Sequence, residues 1–212
     1  MVVGPGIFLA FEGGDGAGKS TQVRLLADVL LARGLDVVVT REPGGTPAAE
    51  AIRHVVLTPD YSGLDARSEA LLYAASRAEH VERLIRPALE RGAAVITDRY
   101  IDSSIAYQGV GRALGPDVVG EINLWATHGL LPDLTVLLDV DAGAGLARID
   151  SAPDRLEAEP EEFHHAVVQA FRALAAGDAD RYLMLPAHDD REAIAAAVLA
   201  RVDALLAQRG RA

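Results

Sequence analysis

The stretch Ile7–Ser20 (IFLAFEGGDGAGKS) begins with six mostly apolar residues and continues as a loop rich in glycine. Its last eight residues, Gly13–Ser20, fit the pattern G-x-x-x-x-G-K-[ST] between a predicted strand and a predicted helix, which is the context that this motif requires. Glycines let backbone N–H groups turn toward a polyphosphate, and the dipole of the following helix adds positive potential. The stretch therefore predicts a loop that binds the phosphates of a nucleotide.

Lys19 is the residue of this loop that is predicted to bridge the outer phosphates, and Ser20 is the expected Mg²⁺ ligand. Lys19 is also the single lysine among the 20 basic residues of the 212-residue chain. An ammonium group binds phosphate as a compact point charge, whereas arginine presents a planar fork. We expect the nucleotide to contact the whole loop: Gly13, Gly14, Asp15, Gly16, Ala17, Gly18, Lys19, Ser20 and Thr21.

Short apolar segments alternate with helical segments along the rest of the chain. Predicted strands cover Ile7–Glu12, Asp36–Thr40, Ala93–Asp98, Leu134–Asp139 and Arg181–Leu185. Predicted helices cover Gly18–Arg33, Thr46–Leu57, Ala66–Glu90, Pro116–His128, Glu161–Ala176 and Asp190–Gln208. This order predicts an α/β fold of the P-loop NTPase type, with a five-stranded parallel sheet between two helical layers. We expect one domain over residues 1–212.

Polar residues end the first four strands, at Glu12, Thr40, Asp98 and Asp139. Because ligands collect at the carboxyl ends of parallel strands, we expect these residues to share one edge of the sheet with the loop. Asp98 is predicted to hold Mg²⁺ directly or through water, as a strand-terminal acid does in many P-loop proteins. Asp139 is the competing candidate, and a helix cap is the structural alternative for either acid.

The composition excludes several classes of protein. A net charge of −11 argues against a nucleic-acid-binding surface, and the absence of cysteine excludes disulfides and thiolate metal sites. Neither a signal peptide nor a segment of membrane-span length is recognisable, which predicts a cytoplasmic protein without a membrane partner. The six histidines lack metal-ligand spacing, and His164 and His165 are expected to be solvated at a helix start.

Five motifs together resemble the thymidylate kinase family. They are FEGGDGAGKST (Phe11–Thr21), TREPGGT (Thr40–Thr46), YAASRAEH (Tyr73–His80), DRYIDSSIAYQG (Asp98–Gly109) and DRLE (Asp154–Glu157), in the family's order over roughly residues 7–185. The resemblance implies a homodimeric enzyme that transfers the γ-phosphate of ATP to dTMP with Mg²⁺ as a cofactor. It also implies a short mobile lid over about residues 146–160.

The same resemblance implies roles for individual residues. Arg99 would bind the acceptor phosphate, Tyr73 would stack on thymine and Arg77 would hydrogen-bond a base carbonyl, whereas a buried tyrosine and a solvated arginine are the ordinary structural reading. Tyr107 would pack against the 2′ edge of the sugar and disfavour a ribonucleotide. The implied dTMP-binding set is Asp15, Glu42, Pro43, Arg53, Tyr73, Arg77, Arg99, Ser104, Tyr107 and Gln108.

The lid departs from the family pattern in its arginines. Thymidylate kinases place a catalytic arginine in the P-loop or in the lid, and here Gly16 occupies the P-loop position. The resemblance then implies a lid arginine, with Arg155 the first choice and Arg148 the second. Asp154 and Glu157 would contact the deoxyribose hydroxyl or metal-bound water. The expected catalytic residues are Lys19, Arg99, Arg155, Asp15 and Arg148, and the expected metal ligands are Ser20, Asp98, Asp15 and Glu157.

Three alternatives predict different observations. A kinase for another nucleoside monophosphate, such as AMP, UMP or CMP, would turn over that acceptor at least as fast as dTMP. A regulatory GTPase would contain an N-K-x-D motif, which is absent because the single lysine lies in the P-loop. A homologue with weakened catalysis would bind ATP and dTMP without producing ADP.

Overall fold

A computed structural model describes residues 6–148 and 153–210 of the chain. The expected lid over 146–160 therefore includes residues 149–152, which lie outside the described residues. The strands are β1 Ile7–Glu12, β2 Val37–Arg41, β3 Ala94–Asp98, β4 Leu134–Asp139 and β5 Tyr182–Pro186. The α-helices are α1 Lys19–Ala32, α2 Pro47–Leu57, α3 Ala66–His80, α4 Arg86–Glu90, α5 Ile101–Ser104, α6 Pro116–Ala126, α7 Ala142–Leu146, α8 Glu161–Gly177 and α9 Arg191–Gln208.

The five strands form one parallel sheet in the order β2-β3-β1-β4-β5. β1 lies at the centre, where Phe11 is opposite Asp98 of β3 and Val136 of β4. Every residue of β1 is buried, as expected for a strand that is covered on both faces. The predicted parallel α/β architecture is confirmed, and the carboxyl ends of the strands share one edge.

Alternating side chains of β1 belong to two different cores, because successive residues of a strand point to opposite faces. Leu9 and Phe11 pack with residues of α1 and α9 on one face of the sheet. Phe8 and Ala10 pack on the other face with Ile85 and its neighbours, which connect α3 to α4. This double contact fixes the end of β1, and therefore the start of the phosphate-binding loop.

Side-chain caps define several of the predicted helix starts. α2 follows Thr46, whose hydroxyl accepts a hydrogen bond from Ala49 N at 3.2 Å. α9 follows Asp190, whose carboxylate accepts from Glu192 N at 3.0 Å and Ala193 N at 3.1 Å. These contacts satisfy N–H groups that the first helical turn leaves without backbone partners. The sequence-predicted boundaries of both helices are within one residue of the observed ones.

Two helical regions differ from the sequence prediction. The predicted helix over 66–90 contains a π-helical turn, Val81–Ile85, just before Pro87, which has no N–H group for an α-helical bond. Between β3 and α6 the sequence predicts no element, but the structure has α5 followed by a π-helical turn, Ile105–Gly111. π-Helical turns occur frequently at functional sites. The second one contributes residues to the cavity described below.

The expected solvation of His164 is wrong. This residue is only 4 % exposed, and its ring lies edge-on to Phe163 with 5.5 Å between ring centroids. His165, on the next position of α8, is exposed as expected. Within the described residues, no helix is long and apolar enough to cross a membrane.

Candidate active site

The loop between β1 and α1 follows the strand–loop–helix arrangement that its motif predicts. Gly13 has φ 136°, and a side chain there would meet the carbonyl oxygen of Leu138 at 2.4 Å, so only glycine fits. Lys19 is the first residue of α1 and is 7 % exposed. Its Nζ donates to Gly14 O at 2.8 Å and Gly13 O at 3.1 Å. Burial and the charge of Arg99 lower the pKa of Lys19 to about 8.

Arg99 lies at the centre of a network with Asp15 and Tyr107. Its Nη2 donates to Asp15 Oδ1 at 2.5 Å and to the Tyr107 hydroxyl at 3.3 Å, and that hydroxyl donates to Asp15 Oδ2 at 2.8 Å. Its Nη1 donates to Gly13 O and Ser103 Oγ, each at 3.0 Å. Burial alone would raise the pKa of Asp15, but the charges of Arg99 and Lys19 lower it. Asp15 is therefore an ionised partner of a fixed guanidinium.

Ser20 and Asp98 meet beside this network. Ser20 Oγ donates to Asp98 Oδ2 at 2.7 Å, across 78 positions of sequence. Asp139, the alternative acid, instead accepts a hydrogen bond from Arg172 Nε at 2.8 Å. It is not among the described residues that line the cavity reported below. The hydroxyl and carboxylate that the sequence predicts as Mg²⁺ ligands are therefore neighbours, whereas Asp139 belongs to a separate ion pair.

Arg77 is the most deeply buried of the expected dTMP-binding arginines, at 2 % exposure. Its Nε donates to Glu42 Oε2 at 2.6 Å, its Nη1 to Ser104 Oγ at 3.0 Å and to Asn123 Oδ1, and its Nη2 to Tyr100 O at 3.0 Å. The ordinary reading of a solvated helical arginine is thus wrong. Burial would raise the pKa of Glu42, but the pairing with Arg77 lowers it.

These groups line one cavity of about 300 Å³. Most of the site residues predicted from the sequence line this cavity. The wall also includes Asp154, for which the resemblance implies a contact with the deoxyribose hydroxyl or metal-bound water. It further includes four residues without a predicted role, namely Arg41, Leu57, Ser103 and Leu156. Ser103 lies inside the quoted motif Asp98–Gly109 and was therefore detectable. The lining is Asp15, Gly16, Lys19, Ser20, Arg41, Glu42, Pro43, Arg53, Leu57, Tyr73, Arg77, Asp98, Arg99, Ser103, Ser104, Tyr107, Gln108, Asp154, Leu156 and Glu157.

Two expected dTMP-binding residues have protein partners at the cavity wall. Gln108 Nε2 donates to Glu69 Oε1 at 2.8 Å, and Arg53 Nη1 donates to Pro43 O at 2.9 Å. Arg53 is half-buried. Both side chains therefore reach the cavity from positions that are already fixed by hydrogen bonds.

The two lid arginines lie in different environments. Arg155 is 5 % exposed, pairs with Glu69 Oε2 at 2.6 Å and donates from Nε to Val56 O at 2.8 Å. It does not line the cavity, whereas its neighbours Asp154, Leu156 and Glu157 do. Arg148 is exposed, and its Nη1 lies 3.3 Å from Ala187 O and 3.5 Å from Gly16 O. Arg148 therefore approaches the P-loop, and Arg155 is directed into the core.

α7 packs directly on the P-loop, which explains the glycine at position 16. A side chain at Gly16 would meet Gly145 O at 2.0 Å, and one at Gly145 would meet Asp15 O at 2.2 Å. An arginine at position 16 would therefore displace α7. The backbone of α7 therefore leaves no room for an arginine side chain at position 16. The exposed arginine next to this position is Arg148, which follows α7.

The chain is similar to known thymidylate kinases over most of its length. The family model described as thymidylate kinase matches residues 11–198. The thymidylate kinase of Clavibacter sepedonicus is 54 % identical over 205 residues, which cover 95 % of this chain and 97 % of that protein. The thymidylate kinase of Cutibacterium acnes (strain DSM 16379 / KPA171202) is 51 % identical over 201 residues, which cover 95 % and 98 %.

A solved structure gives the same result. The crystal structure of thymidylate kinase from Ehrlichia chaffeensis matches with a TM-score of 0.78 at 34 % identity, covering 94 % of this chain and 100 % of that chain. The similarity therefore includes the P-loop, the cavity wall and the lid region together. On this ground the chain belongs to the thymidylate kinase family, the kinases that phosphorylate dTMP using ATP.

Proposed function

We propose that Lys19 binds the donor phosphates of ATP in this cavity while Arg99 binds the acceptor phosphate of dTMP. The observation that carries this assignment is a shared acceptor: Lys19 Nζ and Arg99 Nη1 donate to the same oxygen, Gly13 O, at 3.1 and 3.0 Å. Two cations thus flank the region through which a phosphoryl group would pass. Positive charge matters more than a general base here, because the acceptor oxygen is already ionised.

The base and sugar of dTMP belong at the other end of the cavity, between Tyr73, Arg77 and Tyr107. Arg77 has five N–H donors, and four hydrogen bonds to described residues leave one N–H on Nη2 for a base carbonyl. Tyr73 is 7 % exposed and offers its ring for stacking. The Tyr107 hydroxyl is fixed by Asp15 at 2.8 Å, so its ring cannot turn aside for a 2′-hydroxyl.

The donor set fits Mg²⁺. Ser20 Oγ and Asp98 Oδ2, which lie 2.7 Å apart, are the hard oxygen ligands that this ion prefers. Among the described residues, no group of three or more histidine, cysteine or acidic side chains converges, which suits an ion that takes most ligands from phosphate and water. Ser20 and Asp98 would hold the ion, with Asp15 and Glu157 close by, and the ion would neutralise phosphate charge.

We assign the lid arginine to Arg148 in preference to Arg155. The support is its contact with Gly16 O at 3.5 Å and its exposure, which leaves the guanidinium accessible to donor phosphates. If Arg155 left its 2.6 Å contact with Glu69 to reach the phosphates, the buried carboxylate of Glu69 would lose one of its charged partners, which is unfavourable. Closure of the lid would exclude water and so suppress hydrolysis of ATP.

A homodimer and a cytoplasmic location complete the proposal. α3 and α6 pack against each other and expose large apolar side chains, including Leu71 at 58 %, Val118 at 54 % and Trp125 at 82 %. An apolar surface of this kind is typical of a protein–protein interface. A second copy of the chain that packs on α3 and α6 would cover it.

Kinetics of Lys19→Ala and Arg99→Ala test the assignment of the two cations. Lys19→Ala should lower kcat by at least about tenfold with an unchanged circular dichroism spectrum, because the phosphoryl group loses its donor-side charge. Arg99→Ala should raise the KM for dTMP about 100-fold and change ATP binding by less than about threefold. Arg24→Ala, an exposed arginine of α1 outside the cavity, is the control. If each variant changed the kinetic constants for ATP and for dTMP by the same factor, the assignment of Lys19 to the donor and Arg99 to the acceptor would be contradicted.

A further inference from the structure

Glu12 ends β1 one residue before the P-loop and is completely buried, at 0 % exposure. It is not among the described residues that line the cavity. Burying a carboxylate is unfavourable unless hydrogen bonds or charges compensate. The partners of Glu12 therefore indicate what this charge does.

Among the described residues, the side-chain hydrogen bonds of Glu12 go to Tyr100 and Ser103, which follow Arg99. Its Oε1 accepts from Tyr100 N at 2.8 Å and from Ser103 N at 3.1 Å, and its Oε2 accepts from Ser103 Oγ at 2.6 Å. These backbone N–H groups open α5, where no side chain of the flanking residue caps the helix. Glu12 thus caps α5 from a different element, the central strand.

The backbone of Arg99 is strained at the same point. Its φ is 71°, in the left-handed region that is unfavourable for residues other than glycine. Such a conformation persists only where the surroundings determine it, and here the contacts on both sides do so. Arg99 N donates to Phe11 O at 2.9 Å, and the next residue, Tyr100, donates to Glu12. β1 therefore fixes the chain immediately before and after the strained peptide.

The side chain of Arg99 is connected to Glu12 as well. Ser103 Oγ donates to Glu12 Oε2 at 2.6 Å and accepts from Arg99 Nη1 at 3.0 Å. A serine hydroxyl has one proton to donate, so an acceptor at Glu12 directs the lone pairs of Ser103 toward the guanidinium. We infer that Glu12 is a positioning residue that holds Arg99 in place for the acceptor phosphate, through Ser103 and the backbone of Tyr100.

This inference rests on the proposed role of Arg99, and a double-mutant cycle tests it. Glu12→Gln keeps the size of the side chain but removes the charge and one acceptor. At about pH 8 we expect it to raise the KM for dTMP about tenfold and to leave the KM for ATP within about twofold. Ser103→Ala should have a similar effect on dTMP. In an Arg99→Ala background, Glu12→Gln should add less than about a twofold change, because its target is gone.

Asp102→Asn is the matched control for local unfolding. Asp102 is also a buried carboxylate on α5, at 3 % exposure, but it pairs with Arg181 at 3.0 Å. We expect this variant to keep the KM for dTMP within about twofold of the wild type. Glu12→Asp, which restores a carboxylate on a shorter stem, should recover part of the loss in dTMP affinity.

The outcomes separate this inference from the proposed function. If wild-type protein phosphorylates dTMP but Glu12→Gln costs the same factor in wild-type and Arg99→Ala backgrounds, Glu12 does not act through Arg99 and the inference is overturned. An equal loss of ATP and dTMP affinity would overturn it in the same way, since the P-loop would then be the affected element. A wild-type protein without dTMP kinase activity would overturn the proposed function itself.

Discussion

Glu12 and Lys19 are opposite charges buried near the end of the central strand, and burial shifts both pKa values toward neutrality. Desolvation and the nearby charge of Asp102 raise the pKa of Glu12 to about 7, although Arg99 and the hydrogen bonds from Ser103 and Tyr100 oppose this. Desolvation and the charge of Arg99 lower the pKa of Lys19 to about 8. At the residue scale, the site therefore depends on groups that titrate close to neutral pH.

The raised pKa of Glu12 predicts a pH-dependent contribution to stability. Between the ordinary value of 4.5 and about 7, the unfolded chain loses this proton before the folded chain does, so stability falls as the pH rises. The free energy of unfolding of the wild type, relative to Glu12→Gln, should therefore fall by on the order of 2 kcal/mol between about pH 5 and pH 8. Urea unfolding at both pH values measures this difference, and a constant difference would show that the pKa is not raised.

Arg77 shows what sequence patterns can and cannot predict for a single residue. The family resemblance implies that it binds dTMP, and the structure shows that it lines the cavity. Its ion pair with Glu42 joins residues 35 positions apart, and its bond to Asn123 joins residues 46 apart. The spacing of apolar residues along a helix does not predict such contacts, because they depend on how helices pack at the edge of the sheet. Motifs therefore identified the residue, and the structure supplied its partners.

At the scale of elements, the backbone of α7 packs closely against the P-loop. Gly16 has φ 71°, and a Cβ there would meet Gly145 O at 2.0 Å. The sequence did not predict α7, whose five residues are only alanine, glycine and leucine and show no amphipathic pattern. The resemblance to the family identified Gly16 as the P-loop position at which an arginine is missing. The contact with Gly145 gives the physical reason.

Gly16→Ala should displace α7 and with it Arg148. We predict a loss of stability of about 1–2 kcal/mol together with a lower kcat, because backbone strain and the clash with Gly145 add. Gly34→Ala is the control: its φ is 81°, but nothing lies within 4 Å of the added Cβ. It should cost only the strain and leave kcat unchanged. Equal kcat values for both variants and the wild type would show that α7 does not position the lid arginine.

The two lid arginines should respond differently to truncation. Arg148→Ala should lower kcat about 100-fold and leave the melting temperature unchanged, because the side chain is exposed. Arg155→Ala should destabilise the fold by about 3 kcal/mol, because it removes a charge that pairs with the buried Glu69. Steady-state kinetics and thermal unfolding of both variants measure this contrast. A stable Arg155→Ala protein without activity would restore Arg155 as the catalytic arginine.

At the scale of the whole molecule, the exposed face of α3 and α6 predicts self-association. Trp125→Glu should convert a dimer to a monomer, since it places a charge where 82 % of an indole is exposed. Leu31→Glu on α1, also an exposed apolar position at 52 %, should leave the mass unchanged. Sedimentation equilibrium of the three proteins measures the mass. A monomeric wild type, or a dimeric Trp125→Glu, would contradict the proposed interface.

The distribution of charge is also a property of the whole chain. The net charge is −11, yet among the described residues the cavity wall has as many basic side chains as acidic ones. The five basic ones are Lys19, Arg41, Arg53, Arg77 and Arg99, and the five acidic ones are Asp15, Glu42, Asp98, Asp154 and Glu157. The described part of the cavity wall is therefore balanced in charge, although the chain as a whole is strongly acidic. Alternating strands and helices predicted this edge of the sheet correctly, because parallel strands present their carboxyl ends together. Residues 149–152 of the expected lid, which covers about residues 146–160, lie outside the described residues, so the lid stays a prediction.

An acceptor screen measures which nucleoside monophosphate this protein phosphorylates best. ADP release from ATP would be followed in a coupled assay with dTMP, dUMP, dCMP, dAMP, dGMP, AMP, UMP and CMP, each with wild type and Lys19→Ala. We predict that dTMP has the highest kcat/KM and that its advantage over dUMP is only about 10- to 100-fold, because it rests on one methyl group. Lys19→Ala should lower kcat by at least about tenfold with every acceptor. Equal or faster turnover of any other monophosphate, or a Lys19→Ala variant that keeps more than about a tenth of the wild-type kcat, would contradict the proposed function.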